Sequence, residues 1–411
     1  MIIKSYKIRL YPTEEQEKLL WQHVDAARFV WNWGLALNME RFRQGEKHLN
    51  KSDSGKILTE LKHSDDKFKW LNDVSYHTLK MALIDLDNAY ARFFGIQKKE
   101  KKYTDKKVKK FKLKNKKLMP YDMNGHPKFK SRHEAEPKFY TRHESVYLTK
   151  DAVNMEKIGK LKYQANYDDL PIVSKWKEDT ARYINPRVKY VNGKWLLTFG
   201  IERESAKREL SDFSVGIDLG VKELAVISYD NGEKNKFFKN ANKTKRIRRL
   251  KKRLKQKQRN ASRKYRVNGN YEKTKRILKE EAKAKKLHRK LANIRQNYTH
   301  HVTAEIIRLH PRKIVIEDLN VKGMMRNRYL AGAIQEQIWH EFRRQIEYKA
   351  EWAGIEIAYA DRTYPSSKRC SICGAIKKDL KLKDRVYKCD VCGLSIDRDL
   401  NAAKNLEQLA I

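Results

Sequence analysis

The sequence predicts a multidomain protein of mixed α/β and α+β class. An N-terminal β-barrel is interrupted by a helical insert, and an α/β domain with an inserted four-cysteine zinc ribbon follows. Three observations predict this layout. Strand-like alternation at the start of the chain resumes only after about residue 120, with helical periodicity between. Two apolar strands, one near Ser211 and one near Lys313, bracket a long charged helical stretch. All four cysteines fall between Cys370 and Cys392.

At 411 residues the chain suits two to four domains of roughly 150 residues each. Its 93 lysines and arginines against 51 acids leave a net charge of +42, which calls for a polyanionic partner, nucleic acid before anionic membrane. An apolar fraction of 40% is enough to build cores, which excludes wholesale disorder. No apolar run approaches the roughly 18 residues of a membrane span. The opening MIIKSYKIRLYP lacks a signal-peptide core, so a cytoplasmic protein without a membrane partner is expected.

The segment IIKSYKIRLYP alternates Ile3, Tyr6, Ile8 and Leu10 with polar residues and reads as a strand. Thr13 with Gln16 forms a capping box ahead of Leu19, Leu20, Val24 and Ala27 at helical spacing. A second helix is expected over Arg28–Arg43, and a third from an N-cap at Ser75 to Phe94. Trp21, Phe29, Trp31 and Trp33 serve as core of this helical unit rather than as stacking platforms. Lys98–Lys117 holds twelve lysines in twenty positions and can only be a solvated or phosphate-tracking segment. From Lys128 to Glu204 short alternating strands return, with a hairpin turn at Asn192-Gly193. The expected boundaries are 1–12 plus 120–208 for the barrel, 13–119 for the helical insert, 211–411 for the α/β domain and 364–396 for the ribbon within it.

The second domain opens with FSVGIDLG and KELAVIS as strands. Between Ala241 and Gln258 ten of eighteen residues are cationic, with only Ile247, Leu250 and Leu254 as an apolar seam. Such one-sided charge needs a bound polyanion to offset self-repulsion, so Lys245, Arg246, Arg248, Arg249, Lys252 and Arg253 are the candidate nucleic-acid contacts. A longer helix is expected from about Tyr271 to Leu309, with Leu287, Leu291, Ile294, Tyr298, Val302 and Ile306 stepping by three and four.

Three carboxylates stand out. Asp218 shares one face of its strand with Gly216 and Gly220, two residues without side chains, which suggests open space beside the acid. Glu317 ends the apolar strand KIVIE, where a buried carboxylate needs a cation or a metal. Its neighbour Asp318 reads as a loop cap. Asp399 leads the apolar stripe Ala402, Ala403, Leu406 of the last helix, and Asp397 reads as that helix's N-cap. Together the three could hold two Mg²⁺ or Mn²⁺ ions about 3.5–4 Å apart for phosphodiester hydrolysis. Cys370-x-x-Cys373 and Cys389-x-x-Cys392 match a Cys₄ zinc ribbon. With four thiolates the zinc has no open position, so one structural Zn²⁺ is expected. No P-loop and no GxGxxG is present.

These motifs in order resemble the TnpB family of insertion-sequence proteins, relatives of compact type V CRISPR effectors. YKIRLYPTEEQEKLL, SYHTLKMALIDLDNAYARFF and GHPKFKSR resemble its N-terminal half. GIDLGVKELAVIS, VIEDLNVKGM, YPSSKRCSICG…YKCDVCG and DRDLNAAKNL resemble its nuclease core with an inserted ribbon. The resemblance implies an RNase H-like, RuvC-type domain and a prokaryotic, RNA-guided DNA endonuclease. Its partners would be a guide RNA from the transposon end and double-stranded target DNA next to a short flanking motif. It would act as a monomeric, nucleoid-associated ribonucleoprotein making double-strand breaks. The resemblance carries the catalytic roles onto Asp218, Glu317 and Asp399. The competing expectations are an RNA-guided repressor that never cuts, a miniature type V effector, and a guide-independent, structure-specific resolvase.

Overall fold

The computed structural model describes residues 2–101, 125–132, 135–165, 167, 170, 183–204, 209–269, 273–381 and 384–410. The chain divides into two compact units, Met1–Glu204 and Ser205–Ile411.

In the first unit, β1 (Ile2–Tyr11) buries Tyr6, Ile8 and Leu10 on one face, while Ile3 has the opposite parity and is half exposed. Thr13 and Gln16 form the predicted capping box of α1 (Glu14–Arg43). This is one continuous helix where the sequence suggested two. DAARFVW around Arg28 offers no proline, glycine or capping geometry to interrupt it. α2 (Lys51–Ser64), which the sequence reading missed, is N-capped by Asn50. α3 (Asp66–Lys69) and α4 (Tyr76–Lys101) complete the insert. α4 takes in the first residues of the Lys98–Lys117 segment; the rest of that segment lies outside the described residues.

The helices meet over Val30, Leu58, Leu71, Leu79 and Leu83 and over Trp31, Leu35, Leu86 and Phe93. Phe29 and Trp33 pack edge-on against Phe68, so these aromatics are core. Trp21 instead packs on the sheet, against Tyr190 and Trp195.

The remaining strands are β2 (Lys138–Tyr140), β3 (Val146–Leu148), β4 (Ala152–Met155), β5 (Gly159–Gln164), β6 (Ile184–Tyr190) and β7 (Trp195–Arg203). They pair in the order β2-β6-β7-β1-β5-β4-β3, with β1 antiparallel to both β7 and β5. Among the described residues pairing stops at β2 and β3, so the sheet forms an open half-barrel where the sequence predicted a β-barrel. It is nonetheless curled. Seven flat strands would set the edges about 29 Å apart at 4.8 Å spacing. The six Cα steps from Tyr140 to Val146 span at most about 21 Å.

In the second unit, β8 (Ser211–Leu219), β9 (Glu223–Tyr229) and β10 (Lys234–Lys239) form an antiparallel meander. A helical hairpin follows, α5 (Lys245–Val267) and α6 (Lys275–Ile307). Ile247, Leu250 and Leu254 pack against Ala284 and Leu291, the seam the sequence predicted. α6 is shorter than predicted at 33 residues, or about 50 Å at 1.5 Å per residue. The predicted start at Tyr271 lies outside the described residues.

β11 (Pro311–Glu317) then inserts parallel to β8. After α7 (Val321–Met324), α8 (Ala331–Gln337) and α9 (Trp339–Ala353), β12 (Glu356–Ala360) pairs parallel to β11. The sheet order is β10-β9-β8-β11-β12. Val302 and Ile306 of α6 and Phe342, Ile346 and Ala350 of α9 share one core with Val215, Ile217, Ile314 and Ile316. The small hairpin β13 (Val386–Lys388) and β14 (Ser395–Asp397) leads into α10 (Arg398–Gln408), whose Leu406 packs with Val315 on the other face. Among the described residues no helix is long and apolar enough to cross a membrane.

Candidate nuclease and zinc sites

Asp218 and Glu317 come together because β8 and β11 are parallel neighbours in register. Gly216 faces Val315 and Ile217 faces Ile316, so the next step along both strands sets the two acids side by side. Each is two residues beyond a partner of the Gly216–Val315 pair, so both side chains leave the α10 face of the sheet. On the far side of Glu317 its register partner is Ala360, whose small side chain leaves room.

Gly216 sets the third acid. A Cβ there would overlap the Ala403 carbonyl oxygen and the Glu407 amide nitrogen of α10, closer than real Cβ atoms approach. The absent side chain therefore does not leave the open space that the sequence suggested; it lets the helix backbone lie directly on the strand. Asp399 is one helical turn before Ala403, and Asp218 is two strand residues beyond Gly216. The three acids act on one another electrostatically. The Asp218 carboxyl is held well above the ordinary aspartate range, first by burial and then by the charges of Glu317 and Asp399, with Arg398 acting in the opposite direction. Burial also raises Glu317, which Arg398 again opposes.

The neighbouring acids have other duties. Asp397 Oδ1 accepts the N–H groups of Asp399 (2.9 Å) and Leu400 (3.3 Å), capping α10, and its Oδ2 lies 3.5 Å from Lys222 Nζ. Asp318 is no loop cap. It is ion-paired with Arg343 (3.0 Å) and Arg362 (2.7 Å), which together hold it below the usual carboxylate range.

Carboxylate oxygens are hard donors that suit Mg²⁺ or Mn²⁺, and the crowding of like charge at Asp218 is what such cations would relieve. Among the described residues the three acids do not form a group whose ligand atoms all lie within 4.8 Å; the four cysteines do. The acids are thus spread more widely than a single-ion cage.

Cys370 and Cys392 bring their sulfurs to 3.5 Å, as do Cys373 and Cys389. A tetrahedral Zn²⁺ with 2.3 Å bonds sets sulfurs about 3.8 Å apart, so the cluster fits zinc. Gly374 and Gly393 close the two knuckles with φ of +75° and +73°, donating to the carbonyls of Cys370 (3.0 Å) and Cys389 (3.2 Å).

All six candidate contacts on α5 are exposed; Lys245, Arg248, Arg249 and Lys252 lie away from the apolar seam, and Arg246 and Arg253 flank it. The sequence reading missed the polar side chains that hold α10. Glu407 accepts from Ser228 Oγ (2.6 Å) and from the Gly232 amide (3.1 Å), tying the helix to β9. A lone serine in the apolar strand ELAVISY was the available signal. Asn401 and Asn405 are fully buried on the opposite side of the helix.

Three family models match the chain. They are OrfB_IS605, described as "Probable transposase", over residues 199–328; a "Helix-turn-helix domain" model over 1–47; and a "Cas12f1-like, TNB domain" model over 339–406. Within 1–47 this chain folds as β1 and the single helix α1. A Streptomyces pristinaespiralis protein provisionally named an RNA-guided DNA endonuclease is 30% identical over 407 residues, covering 98% of this chain and 88% of its own length. InsQ of Escherichia coli K12, named in the same terms, is 28% identical over 422 residues, covering 98% and 91%. A solved structure of a mini-RNA-guided endonuclease, CRISPR-Cas_phi3, aligns over 100% of this chain and 92% of its own at 12% identity and a TM-score of 0.47.

Proposed function

Because this chain belongs to the TnpB family of insertion-sequence RNA-guided DNA endonucleases, we propose that it cuts guide-matched double-stranded DNA by divalent-metal phosphodiester hydrolysis at Asp218, Glu317 and Asp399. The observation that carries the site assignment is the register of β8 and β11 with α10 seated on Gly216, which gathers three acids from distant parts of the chain. The five-stranded mixed sheet with helices on both faces supports an RNase H-like, RuvC-type reading of the second unit.

Asp218, whose carboxyl feels the charges of both Glu317 and Asp399, would be the ligand shared between the two cations. Bound divalent cations would supply Lewis-acid polarisation of the scissile phosphate and an activated water. Arg398 offsets part of the negative charge at Asp218 and Glu317. The ribbon cysteines hold one structural Zn²⁺.

The exposed cations of α5 bind the phosphate backbone of guide RNA or of the RNA–DNA duplex. The expected barrel region, 1–12 plus 120–208, and the insert 13–119 serve as wedge and recognition elements reading the flanking motif. The protein works as a monomeric, nucleoid-associated ribonucleoprotein.

The test is cleavage of guide-matched plasmid by the purified ribonucleoprotein with Mg²⁺ across a randomised flanking library. Double-strand breaks that need both the matched guide and Asp218 support the reading. Stable guided binding without cutting would leave an RNA-guided repressor, and cutting that survives RNase and a scrambled guide would make it a resolvase.

A further inference from the structure

α10 is buried on two opposite sides. Asp399, Ala402, Ala403 and Leu406 turn toward the sheet, and at about 100° per residue Asn401, Asn405 and Gln408 lie on the far side. Periodicity alone would give that polar face to water, yet both asparagines are 0% exposed. They face the backbone of the first cysteine knuckle. Asn401 Nδ2 donates to the Arg369 carbonyl at 2.7 Å, and its Oδ1 accepts the Ser371 N–H at 3.1 Å. Asn405 Nδ2 donates to the same Arg369 carbonyl at 2.6 Å and to the Ser366 carbonyl at 2.7 Å. Gln408 Nε2 reaches the Ser371 carbonyl at 2.8 Å.

These bonds bracket Cys370 on both sides. The ribbon's last strand, β14, ends at Asp397, which is itself the N-cap of α10. The ribbon therefore holds α10 twice, through the chain at the N-terminus and through amide side chains along its length.

We propose that Asn401 and Asn405 are positioning residues, which weld the zinc knuckle to the helix so that zinc binding sets the placement of the Asp399 carboxylate. This rests on the reading of Asp399 as a metal ligand. The physical argument is one of satisfaction and rigidity. A buried amide can keep its hydrogen bonds only while the facing carbonyls stay in place, and those carbonyls belong to residues ordered by the cysteine cluster. An eleven-residue helix has little stability of its own, so its position is set by what grips it.

The experiment compares wild type, Asn401→Leu, Asn405→Leu and Cys373→Ser in the guide-loaded protein. It measures zinc per chain, guide RNA retention, thermal melting, Mn²⁺ affinity by electron paramagnetic resonance, and cleavage. Asn401→Leu and Asn405→Leu preserve shape and are expected to retain zinc and guide. Their Mn²⁺ affinity should weaken about tenfold, with a matching rise in the metal concentration for half-maximal cleavage. Cys373→Ser should reproduce the weakened Mn²⁺ binding, and adding Asn401→Leu to it should weaken binding no further, because both break one linkage.

Unchanged Mn²⁺ affinity in the asparagine variants would overturn the proposal, as would additive effects in the double variant. Loss of guide RNA together with zinc would also overturn it, since it would mark a general folding defect. If wild type binds Mn²⁺ but never cuts matched DNA, the nuclease reading fails, while the Mn²⁺ comparison still decides the linkage.

Discussion

Replacing Gly216 with alanine tests how the proposed nuclease site is assembled. The new methyl would fall on the Ala403 carbonyl oxygen and the Glu407 nitrogen, with the Glu407 Cα at 2.9 Å. All three are backbone, so no side chain can rotate away. To restore ordinary contact α10 must withdraw by about 1 Å, and forced overpacking of this kind costs about 1–3 kcal/mol. For a unit of this size that is a drop of roughly 2–12 °C in Tm. The larger effect falls on chemistry. α10 carries Asp399, and a displacement of about 1 Å at a reacting centre can cost on the order of a hundredfold in rate. Guide RNA binding should stay within about twofold, since Gly216 is buried and is not one of the exposed cations of α5. Gly220→Ala is the internal control, because its Cβ would meet the Glu223 carbonyl oxygen at 3.3 Å and the Lys222 nitrogen at an ordinary 4.0 Å, and should cost much less. The assay pairs single-turnover cleavage of matched DNA with thermal melting of the same preparations. Wild-type cleavage with an unchanged Tm in Gly216→Ala would refute the account of helix seating.

Other outcomes follow from the same geometry. Asp399→Asn should abolish cleavage with little change in melting, whereas Asp397→Ala should lower stability by about 1 kcal/mol through the lost cap; equal cleavage defects would undo the separation of ligand from cap. Arg249→Ala with Arg253→Ala should weaken guide RNA binding at every sequence and lower the slope of log affinity against log salt by about 2, read from binding across a salt series. Glu341 accepts two bonds from Arg344 and one from Gln345, which hold its carboxyl down at about 2. That stabilisation is present above the ordinary glutamate range and lost as pH falls from about 4.5 toward 2. Glu341→Gln should therefore cost about 1 kcal/mol or less at pH 7, given the partly exposed pair, and nothing near pH 2 in urea titrations.

Much of the fold was legible because its signals are local. The alternation in IIKSYKIRLY, the Thr13–Gln16 capping box, the seam of Ile247, Leu250 and Leu254 and the Asp397 cap each act within a few residues, and each is present in the structure. The cysteine spacing likewise predicted a cluster whose sulfurs do converge. The misreadings have one origin. Whether the first sheet closes, whether Gly216 opens space or admits a helix, and whether Asp318 caps a loop or binds two arginines all depend on what arrives from elsewhere in the chain.

The sequence by itself determined the chemical inventory: three acids on elements that could bear metal, four thiolates at zinc spacing, and a cationic helix with one narrow apolar seam. It also determined the local direction of each, since strand parity and helical period depend only on neighbouring residues. The tertiary structure decided that Asp218 and Glu317 are adjacent, because strand order is set by burial of both sheet faces and not by chain distance. It also decided that the polar side of α10 belongs to the cysteine knuckle, because a buried amide goes where backbone carbonyls are left unpaired.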